Sequence, residues 1–390
     1  MYSYKSKISA VDLYIDKQIN QTRKSLMKII YIILVTLISS TFVSCNGQTK
    51  SSSANVLKRN GNEIGKVVDK LSDSIWYVYQ DKMDNYWFAS NGQGVFRYDG
   101  KTLMNYTTQD GLANDTIRMI KEDRLGNIYF SNMDGINQFD GKKIITLKPI
   151  ESKEWRLDSN DLWFCILGRR DEHGPYRFDG KNLYHHEFPK HFLQDSFYKK
   201  GINPFFSPYE VYSIYKDRKG HIWFGTSVFG ACRYDGKSVS WMFEHDLTIV
   251  PNGGSFGIRS IYEDKNGDYW FCNTLHRYRM QFDNTGDNGK LKYSKTAGIG
   301  NAEIFGGDDY IYYSHIVEDN KGSIWLTTWS QGVYQYDGAQ ISHYDVKDGT
   351  KDINLVSMYK DNRGVLWLGT PENGVYKFNG KSFEKFKPNL

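Results

Sequence analysis

Side chains able to do chemistry are few and scattered. Nine histidines are present, and only His185, His186 and His191 (HHEFPKH) sit close together. Adjacent histidines point differently on any regular element, so this group is no clean chelate; it reads as solvated loop, and no metal is expected. His173 and His276 could each serve as the base of a lyase or hydrolase, since imidazole exchanges protons near neutral pH. No phosphate loop, dinucleotide fingerprint or nucleophile elbow is visible, so no cofactor is expected. The remaining candidates recognise rather than react: Asn91, Gln93, Arg169, Arg170, Phe229, Arg277, Trp329, Gln331 and Asn373, with the two histidines beside them. Amides and guanidinium groups bond hydroxyls and acids, and flat aromatics cover sugar C–H faces or anchor a protein partner.

The elements that must position these residues are repeats. The unit is an apolar strand ending in Asp-x-x-Gly, a strand carrying Trp, then Gly-apolar-x-x-aromatic-Asp-Gly-Lys. VYSIYKDRKGHIWFGTSVFGACRYDGK (211–237) and LVSMYKDNRGVLWLGTPENGVYKFNGK (355–381) match almost position for position. The second-strand aromatic recurs at Trp87, Tyr129, Trp163, Trp223, Trp270, Trp325 and Trp367, which makes seven copies. The third copy lacks Asp-x-x-Gly, having Asp158 to Asp161, and the first has Asp84 where the others have Gly. Cys165 and Cys272 stand where sister copies have Gly225 and Gly369, and with Cys232 they read as small buried thiols. Short strands joined by tight turns and repeated at this spacing predict an all-β, seven-bladed β-propeller with four antiparallel strands per blade over residues 71–390. The recurring Trp is then an inter-blade core residue.

IYKDRKGHIWFGT followed by RYDGK resembles the two-component regulator propeller repeat, and so does NYTTQDGLANDTI (105–117) between two blades. The resemblance covers roughly residues 70–390. It implies kinship with the periplasmic sensor propellers of hybrid two-component systems, which are associated with sensing glycans. Nine residues follow Lys381, so the expectation is an accessory role without a kinase core on the same chain.

With strands lettered A to D in each copy, the A–B and C–D turns share one face. The B–C loops and D–A crossovers share the other, where segment length varies most. Variable loops on a rigid scaffold are the usual place for binding. The B–C loops are expected to ring the central channel and to carry the candidates named above, with Trp329 the best single contact because the repeat does not require Trp there.

Residues 29–38 (IIYIILVTLI) form an apolar run after Lys24 and Lys28, followed by small residues and Cys45. That order describes an export signal over residues 1–45, with a start at Met27 more natural than Met1. The Cys after Ser44 resembles a lipobox, which implies lipidation at Cys45, and residues 46–70 read as a flexible tether. Of the formal net charge of +5, +4 falls in residues 1–45, and so nearly neutral a body argues against a nucleic-acid partner. The expected protein is therefore an envelope module, lipid-anchored to a membrane, that binds a glycan or an envelope protein; the alternative is a propeller lyase or hydrolase with a His base.

Overall fold

The computed structural model describes residues 64–168, 173–199, 207–248, 257–285, 289–300 and 310–390. Seven sheets of four or five strands follow one another along the chain, with a two-stranded ribbon, Lys347–Asp348 and Lys351–Asp352, between the last two. Blade one is Ile75–Gln80, Tyr86–Ser90, Val95–Tyr98 and Leu103–Tyr106, and blade four is Val211–Lys216, Ile222–Thr226, Ala231–Tyr234 and Val239–Met242. Both pair as antiparallel A-B-C-D ladders, as do blades two, five, six and seven. The chain is a seven-bladed β-propeller.

One carboxylate organises each blade except the third. At the A–B turn, Asp217 Oδ1 accepts the N–H groups of Lys219 (3.0 Å) and His221 (2.8 Å), closing the hairpin. Its Oδ2 accepts the indole N–H of Trp223 at 2.9 Å. The same bond joins Asp81 to Trp87 (2.7 Å), Asp264 to Trp270 (3.1 Å), Asp319 to Trp325 (2.8 Å) and Asp361 to Trp367 (2.9 Å). In blade two, Tyr129 donates its hydroxyl to Asp123 at 2.9 Å. The turn needs a left-handed residue three positions after the Asp; Gly220 takes it at φ 85°, and Asp84 takes it in blade one at φ 64°.

Each clamped indole is pressed against the next blade. Trp87 packs on Phe130 and Phe139, Trp223 on Phe271, Trp325 on Phe378, and Trp367 on Phe88. The core is accordingly divided into clusters, one at each blade interface. A second interlock lies nearer the channel. Tyr79 donates to Glu122 of blade two (3.1 Å), Tyr262 donates to Glu318 of blade six, and Tyr215 and Tyr359 accept the N–H of Glu263 (3.1 Å) and Gln80 (3.0 Å). Blades seven and one share no strand; Ile75 N–H to Thr370 O (3.0 Å), Tyr86 Oη to Asp361 (2.8 Å) and Phe386 against Phe88 and Tyr98 close the ring.

Blade three departs from the pattern. Its sheet is Leu162–Phe164, Tyr176–Phe178 and Leu183–His185, and the fourth strand, Pro149–Glu151, pairs in parallel on the outer side. No inner strand A is present. The reason lies in the turn: Leu157 stands six residues before Trp163, where an acceptor Asp stands elsewhere, and the Trp163 indole nitrogen is buried without a partner. Trp163 leans instead on Trp155, His186 and Phe224.

The sheet of blade one extends into the stretch expected to be tether. Lys66–Val67 adds a fifth strand by pairing with Met104 and Asn105, and Gly65 N–H donates to Asp110. The propeller therefore takes in residues before residue 70. Residues 1–63, with Cys45 and the expected export signal, lie outside the described residues.

Removing the indole N–H should matter where an acceptor is waiting for it. Trp223→Phe is expected to cost at least about 1 kcal/mol more than Trp163→Phe in urea unfolding, the size of one well-placed buried hydrogen bond. Equal losses would show that the carboxylate clamp contributes nothing to stability.

Candidate functional site

Strand A is the innermost strand of a blade, and its first residues arrive from the D–A crossover. Where these ends converge, a cavity of about 490 Å³ opens at the crossover end of the channel. Its wall includes Trp76, Arg118, Tyr212, Arg259, Ser314 and Val356. Each of these stands five residues before the turn Asp of its blade, in blades one, two, four, five, six and seven. The preceding position is a buried apolar residue throughout: Ile75, Ile117, Val211, Ile258, Tyr313 and Leu355. One column of the repeat thus faces the cavity, and its residue type is free to vary.

A β-bulge aims this column inward. The A–B register skips Trp76, Arg118 and Tyr212 in blades one, two and four. A bulged residue leaves the ladder and its side chain is redirected. In blade five a cysteine supplies what the ladder does not: Cys272 Sγ accepts the N–H of Arg259 (2.9 Å) and of Ser260 (3.1 Å). Cys272 sits in left-handed backbone at φ 52°, and burial pushes its thiol up to about 12. At the equivalent Gly225 a Cβ would lie 2.2 Å from Ile258 O, so this position lies directly against the next blade's strand A.

The wall is aromatic and cationic. The Arg118 guanidinium lies 3.9 Å over the Trp76 ring, and that of Arg259 lies 4.8 Å over Tyr212. Tyr77 and His315 meet edge to face at 6.2 Å. Burial, with the nearby Arg259 adding to it, holds the His315 imidazolium down to about 4. Burial also raises the Tyr77 hydroxyl. Glu210 is the one carboxylate among the described lining residues, and it accepts the Gly168 N–H. Three lining nitrogens are buried without a partner: Trp76 Nε1, Arg118 Nη1 and His315 Nδ1.

Among the candidates expected from sequence, Trp329 lines this cavity and is 51% exposed. Leu167 and Gly168 line it next to Arg169 and Arg170, which lie outside the described residues. The others are placed elsewhere. Phe229 is buried in the core, stacked on His191 at 4.5 Å and edge-on to Tyr209. Arg277 is the strand-C partner of Trp270 and lies 5.4 Å over its ring, as Arg97 lies over Trp87. It faces a groove with the turns Asp264–Asn266 and Asp337–Gly338, on the opposite face. Asn91, Gln93 and Gln331 are exposed beyond the cavity, and Asn373 donates to Asp348 at 3.2 Å. His173 packs against Tyr209, and His276 begins strand C of blade five; neither lines the cavity. The B–C loops do not ring the channel, because strand B is the second strand out. Only blades two, three and six reach the cavity through them, by Met133, Leu167 with Gly168, and Trp329.

The histidine group is not solvated. His186 and His191 are fully buried, on Trp155 and Phe229, and burial holds them down to about 4 and about 3. Among the described residues no cluster of His, Cys, Asp or Glu is arranged to hold a metal, and Cys165, Cys232 and Cys272 are buried and form no disulfide.

A profile of the two component regulator propeller matches residues 206–228. No curated protein matches the chain in sequence. Among solved structures, the extracellular domain of the putative one component system BT4673 from B. thetaiotaomicron is similar over 83% of this chain and 41% of its own, at 17% identity and a TM-score of 0.52. The chain therefore spans about two fifths of that protein. PorZ, a surface component of the type-IX secretion system of Porphyromonas gingivalis, is similar over 78% of this chain and 46% of its own, at 15% identity and a TM-score of 0.54. Virginiamycin B lyase from Staphylococcus aureus is similar over 80% of this chain and 98% of its own, at 11% identity and a TM-score of 0.55. These likenesses show a shared fold: the chain carries the regulator propeller repeat on a ring also found in an extracellular domain of a putative one component system, a secretion-system component and a lyase.

The buried histidines make stability depend on pH. Unfolding returns His191 from about 3 to near 6.5, so between these values the unfolded chain binds the extra proton. Stability is full above pH 6.5 and falls as pH drops, by roughly 1.4 kcal/mol per pH unit for one such histidine. His191→Gln keeps an acceptor for the Leu193 N–H and should flatten part of that slope in urea titrations between pH 6.5 and 4. An unchanged slope would assign the acid sensitivity to other groups.

Proposed function

We propose that this chain is an exported recognition module, lipid-anchored at the cell envelope through Cys45, that binds a glycan or an envelope protein at the channel mouth. The observation that carries the reading is the variable column: the repeat holds its clamp, core and turn positions nearly constant, while the position facing the cavity changes from Trp to Arg to Tyr to Ser to Val. A cavity of about 490 Å³ with aromatic walls and a few polar groups matches ordinary small-ligand sites. The extracellular setting of the BT4673 domain and the surface setting of PorZ support an envelope location. Among the described residues no helix is long and apolar enough to cross a membrane.

The two histidines expected as bases, His173 and His276, lie outside the cavity, whose wall carries His315 instead. The lyase likeness is one of fold at 11% identity and does not carry an activity across. Incubation of envelope glycans with the purified protein should give binding without turnover; release of an unsaturated or hydrolysed product would reverse the assignment.

Two experiments test the parts of this reading. Trp329→Ala should weaken capture of the partner by about 1–3 kcal/mol, as exposed aromatic anchors do, and leave the unfolding midpoint unchanged. Intact capture would move the site away from the channel mouth. Cys45→Ala should shift the protein from the membrane fraction to the soluble envelope fraction, and continued membrane retention would rule out the lipid anchor.

A further inference from the structure

We infer that the channel mouth takes an aromatic side chain from an exposed loop of an envelope protein, in preference to a sugar. This rests on the channel mouth being the binding site, and it decides between the two partners proposed for it. Six of the seven blades offer the cavity an aromatic or aliphatic side chain: Trp76, Met133, Leu167, Tyr212, Trp329 and Val356, from blades one, two, three, four, six and seven. The polar groups between them are mostly engaged within the wall. The Tyr212 hydroxyl donates to Glu210, which also accepts the Gly168 N–H. Ser314 Oγ donates to Thr327 O at 3.1 Å. The guanidinium groups of Arg118 and Arg259 lie on Trp76 and Tyr212. Trp76 Nε1, Arg118 Nη1 and His315 Nδ1 are sealed from the cavity surface. A sugar needs a partner for each hydroxyl it buries, and a hydroxyl left unpaired is costly. An aromatic ring makes no such demand and gains by the area it buries.

The rim points to a side chain carried by a protein over a free apolar molecule. Trp329 and Met133 line the cavity from the B–C loops of blades six and two, and they are 51% and 36% exposed. The repeat requires neither: sister copies have Ser227 and Pro371 at the first position, and Gly92, Ser330 and Glu372 at the second. A small molecule held inside the cavity has no use for apolar surface outside it. A loop that brings an aromatic anchor into a pocket also covers the pocket's edge, and exposed Trp and Met are the residues that such edges favour.

Calorimetric titration of the purified protein tests this with four probes: a flexible peptide with a central Trp, the same peptide with Ser in that place, a neutral tetrasaccharide, and N-acetyltryptophanamide as the free ring. The Trp peptide should bind, and the Ser peptide and the tetrasaccharide should bind at least about tenfold more weakly, the scale of one lost aromatic anchor. The free ring should also bind more weakly than the Trp peptide, because it misses the rim. Val356→Asn sets an amide in the wall and keeps the Val356 N–H bond to Gly369 O. It should weaken the Trp peptide at least about fivefold, with thermal unfolding as the check on the fold. A tetrasaccharide that binds as tightly as the Trp peptide, and still loses affinity in Trp329→Ala, overturns the aromatic assignment and leaves the site standing. A free ring that binds as tightly as the peptide overturns the protein partner in favour of a small apolar ligand. Trp-peptide binding untouched by both Trp329→Ala and Val356→Asn overturns the site itself, and no binding of the Trp peptide at millimolar concentration overturns the inference.

Discussion

The structure depends on one bond made again and again: an aspartate at a hairpin turn accepting the indole N–H of a tryptophan six residues later. The carboxylate does two things at once. Through Oδ1 it closes the turn, and through Oδ2 it fixes the angle of the largest side chain in the blade. A large aromatic held at a fixed angle is what allows one flat sheet to pack on the next with the same geometry around the ring. Tyr269 and Tyr86 extend the device, donating to Asp217 and Asp361 of the neighbouring blade at 2.8 Å each. The bond that shapes a blade thereby also ties it to the next one.

Because the clamp sits at the turn end of strand A, the other end of that strand is released from structural duty. The bulges at Trp76, Arg118 and Tyr212 mark the release, since these residues leave the ladder and face the channel. Blade three illustrates the converse. Without an Asp six residues before Trp163 it has no strand A, and Lys121 of blade two, standing where Tyr79, Tyr215, Tyr262 and Tyr359 bond across to their neighbours, faces a blade that offers no equivalent partner. Burial lowers the Lys121 ammonium accordingly. The cavity wall is completed at that blade by the Leu167–Gly168 loop.

The ring, its blade count and the anomaly of the third copy were legible in the sequence, because turn Asp, Gly and Trp are local demands that recur at a countable spacing. The site was legible only in part. Trp329 stood out as an aromatic that the repeat does not need. Phe229 did not announce its burial, because the crossover that covers it is long and irregular. Arg277 was misplaced although Arg277-Tyr278 repeats the Arg233-Tyr234 and Arg97-Tyr98 pairs opposite the core tryptophans. Aligning copies on that pair would have marked it as structural. The cavity column was visible too, as a variable position directly after a constant apolar one, but its inward aim depends on a bulge that no local residue preference signals. His186 and His191 were read as solvated because a polar run on a crossover looks exposed until the aromatic blade edge beneath it is known.

The central claim is that turn carboxylates hold the indoles of the ring while the Trp76 indole at the channel mouth has no acceptor. Hydrogen exchange at the tryptophan indole N–H groups, read by nitrogen-15 correlation spectra, addresses it directly. The indoles of Trp87, Trp223, Trp270, Trp325 and Trp367 should exchange only through global unfolding, and those of Trp76 and Trp163, which have no acceptor, should exchange much faster. Uniform protection across all seven, or fast exchange at the five clamped positions, would contradict the account.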